Sequence, residues 1–179
     1  MIYSGEIEEV VVIGIYNTGD WMDEYTYSFD KEEGFGGKGD LYLDYIEQTV
    51  LPLMEQNLRI KLDKGGWLGI SGSSLGGLIS CYAAWKRPHI YGKAGCISSS
   101  FWWNNQDMLN SILPSVKMTN KPKIYMDAGT EGGESTIMKD TSAILTYLTK
   151  VAGYTKGVNV ESYVEQGGQH SEYYWGKWF

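Results

Sequence analysis

A glycine-rich stretch in the middle of the sequence holds the residue best suited to nucleophilic chemistry. Ser74 stands between Gly72 and Gly76 in the pattern Gly-x-Ser-x-Gly, with an apolar run before it and a helical pattern after it. Such a serine sits on a sharp strand-to-helix turn that points its hydroxyl out of the sheet. The backbone N–H of Leu75 would then stabilise a developing oxyanion at the helix N-terminus. The pattern alone also fits an ordinary glycine-rich turn, but its context favours a nucleophile.

A nucleophilic serine needs a base and an acid that orients the base. The sequence has two histidines, His89 and His170. The position of His89 at a predicted helix end favours an exposed or capping role. His170 follows the last predicted strand, which suits the chain order serine, acid, histidine. The acid should then follow the fourth predicted strand, and the order of preference is Glu131, Glu134, Asp127.

Strands and helices are predicted to alternate along the chain, and they must position these groups. This alternation predicts an α/β fold with a mainly parallel sheet, in one domain over residues 1–179. Sites in such sheets form beyond the carboxyl ends of the strands. The predicted elements, in chain order, are a buried strand at Val10–Tyr16, a loop at Asn17–Gly39, a helix from Asp40 to about Asn57 that Pro52 interrupts, a strand at Trp67–Ile70, a helix from Leu75 to Lys86, a strand at Lys93–Ile97, a short helix at Asp107–Val116, a strand at Lys123–Ala128, a helix at Thr136–Val151, a strand at Val158–Val164 and a helical aromatic tail.

Composition excludes several classes of function. The net charge of −7 and the pI of about 4.8 argue against binding to nucleic acid or an anionic membrane. No stretch is apolar and long enough to span a bilayer, and the start does not look like a signal peptide, so a cytoplasmic location is expected. Cys81 and Cys96 are expected to be free, buried thiols. No cluster of cysteines and histidines indicates a metal site.

Five motifs extend these observations over nearly the whole chain. They are Val11–Ile15 followed by Glu24-Tyr25, Gly72–Gly77, Ile97–Trp103, Tyr125–Glu131, and Gly168–Glu172 before Trp175. Together they resemble the enterochelin esterase-like, or esterase D and feruloyl esterase-like, α/β-hydrolases. The resemblance implies a three-layer α/β-hydrolase-like sandwich without a cofactor. It further implies Ser74 as nucleophile, His170 as base, Glu131 or a near neighbour as acid, and Trp102 and Trp103 beside the substrate, although core packing would equally explain the tryptophans.

Two departures from the family pattern stand out. The arginine that usually precedes the Glu-Tyr pair is replaced by the segment Trp21–Asp23. In addition, nothing matches the strand that family members place between Val10–Tyr16 and the nucleophile strand, and whose loop donates one oxyanion N–H. The domain is therefore expected to be N-terminally truncated. An unpaired apolar edge at Val10–Tyr16 would favour association, so a homodimer or higher oligomer is expected.

The function expected from these residues is that of a serine carboxylesterase working through an acyl-enzyme. Its substrate would be a small-molecule ester, and the resemblance points to aryl, hydroxycinnamoyl or siderophore esters. The alternative is a weak or inactive hydrolase-like binding module, because one oxyanion donor is missing. Acyl transfer to an acceptor other than water is a third, weaker interpretation.

Overall fold

A parallel sheet of four strands lies at the centre of the molecule, in the order β3-β4-β5-β6, beside a separate antiparallel pair, β1-β2. The structure is a computed structural model that describes residues 4–6, 9–60, 62 and 68–178. Its strands are β1 (Phe29–Asp30), β2 (Phe35–Gly36), β3 (Leu68–Ser73), β4 (Tyr91–Ile97), β5 (Lys123–Gly129) and β6 (Val160–Glu165). Its helices are α1 (Trp21–Glu24), α2 (Gly39–Tyr45), α3 (Leu51–Asn57), α4 (Leu75–Lys86), α5 (Trp103–Asp107), α6 (Leu113–Ser115), α7 (Glu134–Lys150) and α8 (Glu172–Trp178), with π-helical turns at Ile46–Val50 and Met108–Ile112. The predicted α/β class is confirmed.

The strands of this sheet form where apolar, β-branched and small residues run together. The carboxyl halves of β4 and β5 are continuously buried, as expected for strands that are covered on both faces. Helix α4 packs against β3 and β4, and α7 packs against β5. The sequence prediction placed the limits of β4, β5 and β6 within two residues of those observed. The predicted nucleophile strand ended at Ile70, three residues before the observed end of β3, and its predicted first residue, Trp67, lies outside the described residues.

Both π-helical turns precede a proline. Pro52 and Pro114 are each the second residue of the helix that follows such a turn. A proline inside a helix lacks an N–H, and its ring clashes with the carbonyl four residues earlier. Widening the preceding turn relieves that clash, so Pro52 leaves the predicted helix continuous instead of ending it.

The prediction of a buried strand at Val10–Tyr16 is wrong. The segment has no regular secondary structure, and Val12 and Tyr16 are 88% and 94% exposed. A strand needs a hydrogen-bonding neighbour. A cavity of about 540 Å³ instead separates residues 11–15 from β3, the edge strand of the sheet. The apolar sequence is thus present, but it has no backbone partner within the described residues.

The core surrounds helix α4. Ten of its twelve residues are buried, because the sheet lies on one side of the helix and the segment around α2 covers another. Cys81 and Cys96 are both free and buried, as predicted. Within the described ranges, no helix is both long enough and apolar enough to cross a membrane.

Candidate active site

Ser74 occupies a strained turn between β3 and α4. Its backbone angles, φ 56° and ψ −121°, are rare for a residue with a side chain. Its N–H donates to the Ile97 carbonyl at 2.9 Å. The turn is so tight that a Cβ on Gly72 would lie 2.7 Å from the backbone of Gly76. The predicted strand–turn–helix is therefore present, and Leu75 begins the helix with an N–H that has no partner inside it.

The Ser74 hydroxyl contacts a second serine. Its Oγ lies 3.2 Å from the Oγ of Ser100, and the N–H of Ser100 donates to the Ser74 carbonyl at 3.1 Å. Ser100 is almost fully buried in the turn after β4. The position of the Ser74 hydroxyl is thus set partly by the turn that follows the neighbouring strand, and no motif in the sequence indicates this contact.

A histidine–carboxylate pair lies at the same edge of the sheet. His170 Nδ1 is 2.6 Å from Glu134 Oε1, and the other oxygen of Glu134 accepts the N–H of Gly129 at 2.8 Å. Glu134 is fully buried. Burial alone would raise its pKa, but hydrogen bonds from His170 and Gly129 outweigh it and hold the pKa below the usual value. An ionised Glu134 therefore fixes the imidazole and leaves Nε2 for another contact.

The structure places Glu134, not the preferred Glu131, beside His170. Glu131 is exposed in the loop after β5. Glu134 is the first residue of α7, where its carboxylate turns back toward the strand end and the histidine loop. Asp127 is buried within β5 and accepts the N–H of Ser98 at 2.8 Å. Burial raises its pKa to about 6.

Two glycines hold the histidine loop against the end of β5. A Cβ on Gly129 would collide with the carbonyl of Gly168. That carbonyl accepts N–H groups from Thr130 and Glu131 at 3.1 and 3.0 Å. The His170 ring in turn meets Trp175 edge-on, with their centroids 4.8 Å apart. The loop is therefore anchored on both sides of His170.

Ser74 and His170 follow the two outer strands of the sheet, β3 and β6. No hydrogen bond joins these two side chains in the described structure, where Ser74 Oγ pairs with Ser100 instead. Hydrogen bonds between catalytic groups are often long without substrate and tighten when it binds. The carboxyl edge of the sheet thus carries a serine in a strained turn and a histidine–carboxylate pair, with no hydrogen bond between the serine and the histidine.

The two tryptophans predicted beside the substrate have different surroundings. Trp102 is 37% exposed. Trp103 is fully buried, its Nε1 donates to the Ser28 carbonyl at 3.0 Å, and its ring packs against Phe35. The prediction for Trp103 is therefore wrong, because the side chain fills the core beneath the loop that precedes α2. Trp102 alone is open to a ligand.

Residues 1–179 match the model of the esterase family that is described as "Putative esterase". The chain belongs to this family. It is 33% identical over 184 residues to the uncharacterized protein YbbA of Bacillus subtilis (strain 168), a match that covers 97% of this chain and 71% of YbbA. It is 30% identical over 109 residues to the siderophore triacetylfusarinine C esterase of Aspergillus fumigatus, which covers 56% of this chain and 36% of that enzyme.

Solved structures share the fold. The BES protein from Bacillus cereus matches with a TM-score of 0.72 and 18% identity, over 93% of this chain and 63% of that one. An enterochelin esterase from Shigella flexneri matches with a TM-score of 0.63 and 20% identity, over 75% and 34%. The resemblance to enterochelin esterase-like hydrolases is confirmed, and the α/β-hydrolase-like fold with it. The chain spans about a third to two thirds of these two solved relatives.

Proposed function

We propose that this esterase-family chain is a serine carboxylesterase with Ser74, His170 and Glu134 as its triad. The observation that carries the proposal is the coexistence, at one sheet edge, of a strained serine elbow and a buried carboxylate hydrogen-bonded to His170. Strain of this kind is retained where the surrounding structure enforces it, commonly at active sites. An ionised carboxylate on Nδ1 gives the imidazole the tautomer that a base needs.

The proposed reaction begins when Ser74 Oγ turns from Ser100 to His170. Oγ attacks the ester carbonyl, and Nε2 of His170 takes its proton and passes it to the leaving alcohol. Glu134 stabilises the imidazolium that forms between these steps. The N–H of Leu75 donates to the oxyanion. Water activated by His170 then releases the acid and restores the Ser74 hydroxyl.

The proposed substrates are aryl, hydroxycinnamoyl or siderophore esters. Trp102 offers an exposed ring close in sequence to Ser100, which contacts the nucleophile. An indole face suits stacking with an aromatic acyl group. A siderophore ester is suggested by the name of the Aspergillus fumigatus relative. We also propose a cytoplasmic setting, since Cys81 and Cys96 are free thiols.

The second candidate function is that of a hydrolase-like binding module. It is favoured by the pairing of Ser74 with Ser100 in place of His170. With Leu75 as the single oxyanion donor that we can assign, the rate would also fall, because loss of one such donor costs roughly a hundred- to a thousandfold.

Hydrolysis of p-nitrophenyl acetate, together with labelling by a fluorophosphonate, separates the two candidates. We expect the wild-type chain to react in both assays and Ser74→Ala to react in neither. Ser71→Ala is the matched control, since it removes a neighbouring hydroxyl from β3, and it should react like the wild type. A folded wild-type chain that neither hydrolyses the ester nor takes the label would favour the binding module.

A further inference from the structure

Asp127 is a buried carboxylate that the proposed triad does not use. It faces the segment Ser98–Ser100, here called the serine turn, which links β4 to the tryptophan pair. We propose that Asp127 is a positioning residue that holds the nucleophile Ser74 in place through the serine turn. The proposal rests on the proposed function, in which Ser74 is the nucleophile.

Asp127 contacts the first residue of the serine turn directly. Ser98 has φ 39°, a left-handed conformation that costs free energy in a residue with a side chain. Its N–H donates to Asp127 Oδ1 at 2.8 Å, and both residues are fully buried. A carboxylate or carboxyl oxygen that accepts this N–H stabilises the strained turn, because a buried N–H without a partner is costly.

Residues on both sides of Ser98 contact Ser74. Immediately before Ser98, the Ile97 carbonyl accepts the Ser74 N–H at 2.9 Å. Two residues after it, Ser100 donates its N–H to the Ser74 carbonyl and places its Oγ 3.2 Å from Ser74 Oγ. The N–H, the carbonyl and the hydroxyl of Ser74 therefore all contact residues 97–100, which include the Ser98 N–H that Asp127 accepts.

A third contact keeps the serine turn from sliding along α4. Ser99 is fully buried, and a Cβ on Gly77 would collide with its hydroxyl. The turn therefore fits against the first turn of the elbow helix with little room to move. Release of Ser98 would let the turn relax and shift Ser74, and a displacement near 1 Å can cost about a hundredfold in rate.

The role proposed for Asp127 requires a hydrogen-bond acceptor and does not require a negative charge. Glu134 holds His170, so Asp127 needs only an oxygen that accepts the Ser98 N–H. Asp127→Asn keeps that oxygen and Asp127→Ala removes it. If Asp127 instead acted as the triad acid, asparagine would impair the reaction severely, as it does in the serine protease template.

The test measures kcat, KM and the rate of fluorophosphonate labelling for the wild type, Asp127→Asn, Asp127→Ala and Ser100→Ala. We expect Asp127→Ala to lower kcat and labelling about 10- to 100-fold with little change in KM, and Asp127→Asn to stay within about threefold of the wild type. Ser100→Ala should lower both rates, and its effect should not add fully to that of Asp127→Ala. Asp140→Ala, which removes a buried carboxylate on α7 that pairs with Gln106, is the matched control and should change neither rate.

Hydrogen exchange gives a readout that does not depend on catalysis. The amides of Ser98 and Ser100 should be protected in the wild type and Asp127→Asn, and exposed in Asp127→Ala. A folded Asp127→Ala chain with wild-type protection and wild-type rates overturns the proposal, and so does an Asp127→Asn chain as impaired as Asp127→Ala. If the wild type takes no label, the esterase proposal fails by itself, while the exchange data still decide whether Asp127 holds the turn.

Discussion

At the scale of single residues, Glu134 is the carboxylate whose loss we expect to impair hydrolysis most. Glu134→Gln keeps the side-chain volume but removes the charge that sets the His170 tautomer. We expect kcat for p-nitrophenyl acetate to fall by about 10²- to 10⁴-fold. Glu131→Gln, three residues earlier and exposed, is the control and should remain within about threefold. The reverse ranking would restore Glu131 as the acid.

Asp127 also makes the stability of the fold depend on pH. Burial raises its pKa from 3.8 to about 6, so the folded state binds this proton more tightly than the unfolded state does. Its contribution is greatest below pH 3.8 and is lost as the pH rises through 6, a loss of about 3 kcal/mol. The groups that face Asp127 are Glu134, Tyr125 and Cys96.

Asp127→Asn should remove this pH dependence. Urea unfolding of both proteins between pH 4 and pH 7 should show the variant gaining up to about 3 kcal/mol relative to the wild type as the pH rises. The opposite contribution of Glu134, whose stabilisation grows as the pH rises, is present in both proteins, so most of it cancels in the difference. A difference in stability that stays constant with pH would show that folding does not shift the pKa of Asp127.

The sharp turn at Ser74 could be predicted from the sequence, whereas the carboxylate that contacts His170 could not be chosen. Gly72, Ser74 and Gly76 specify their turn through local sterics, which a short pattern can reveal. The choice between Glu131 and Glu134 depends on where α7 begins, because a residue at the first helical position turns back toward the strand end. The predicted helix began at about Thr136, two residues after the observed start of α7, so the prediction left Glu134 in the loop with Glu131.

At the scale of elements, we expect substitution of Gly72 and substitution of Gly76 to have different effects on the turn around Ser74. A Cβ on Gly72 would lie 2.7 Å from the Gly76 backbone, while a Cβ on Gly76 meets nothing within 4 Å. We expect Gly72→Ala to destabilise the fold by about 1–3 kcal/mol and to abolish labelling of Ser74. Gly76→Ala should keep both, since alanine suits a helix better than glycine.

Thermal unfolding and labelling of these two variants provide the measurement. Equal loss of stability and labelling in both variants would mean that the contact between Gly72 and Gly76 does not set the turn.

Local sequence also explains why the four strands of the sheet were predicted well. Their apolar runs are bounded by glycine, serine or proline, so the local sequence marks their ends.

At the scale of the whole molecule, Val10–Tyr16 shows what a local pattern cannot supply. Its β-branched run predicts a strand, but a strand also needs a neighbour with free N–H and carbonyl groups. The nearest candidate, β3, lies across a cavity that residues 11–15 help to line. Pairing is decided by the arrangement of distant segments, and one apolar run carries no information on it.

This arrangement leaves apolar surface that favours self-association. Val10, Val11 and Val12 are 59%, 55% and 88% exposed beside β3, whose outer side pairs with no described strand. An apolar run next to an open sheet edge is a recognised site for added strands. We expect a homodimer or higher oligomer by light scattering at micromolar concentration. Val12→Lys should shift it toward monomer, because a lysine there would have to be desolvated in the contact.

The matched control is Val158→Lys, which places the same charge on an exposed valine beside β6, at the other edge of the sheet. It should associate like the wild type if the contact uses β3. Dissociation by both variants would point to a general effect of charge, since the chain carries a net charge of −7 and each lysine reduces it. A wild-type chain that is monomeric at these concentrations would contradict the expectation. The open edge and the exposed valines would then persist in solution without a second copy.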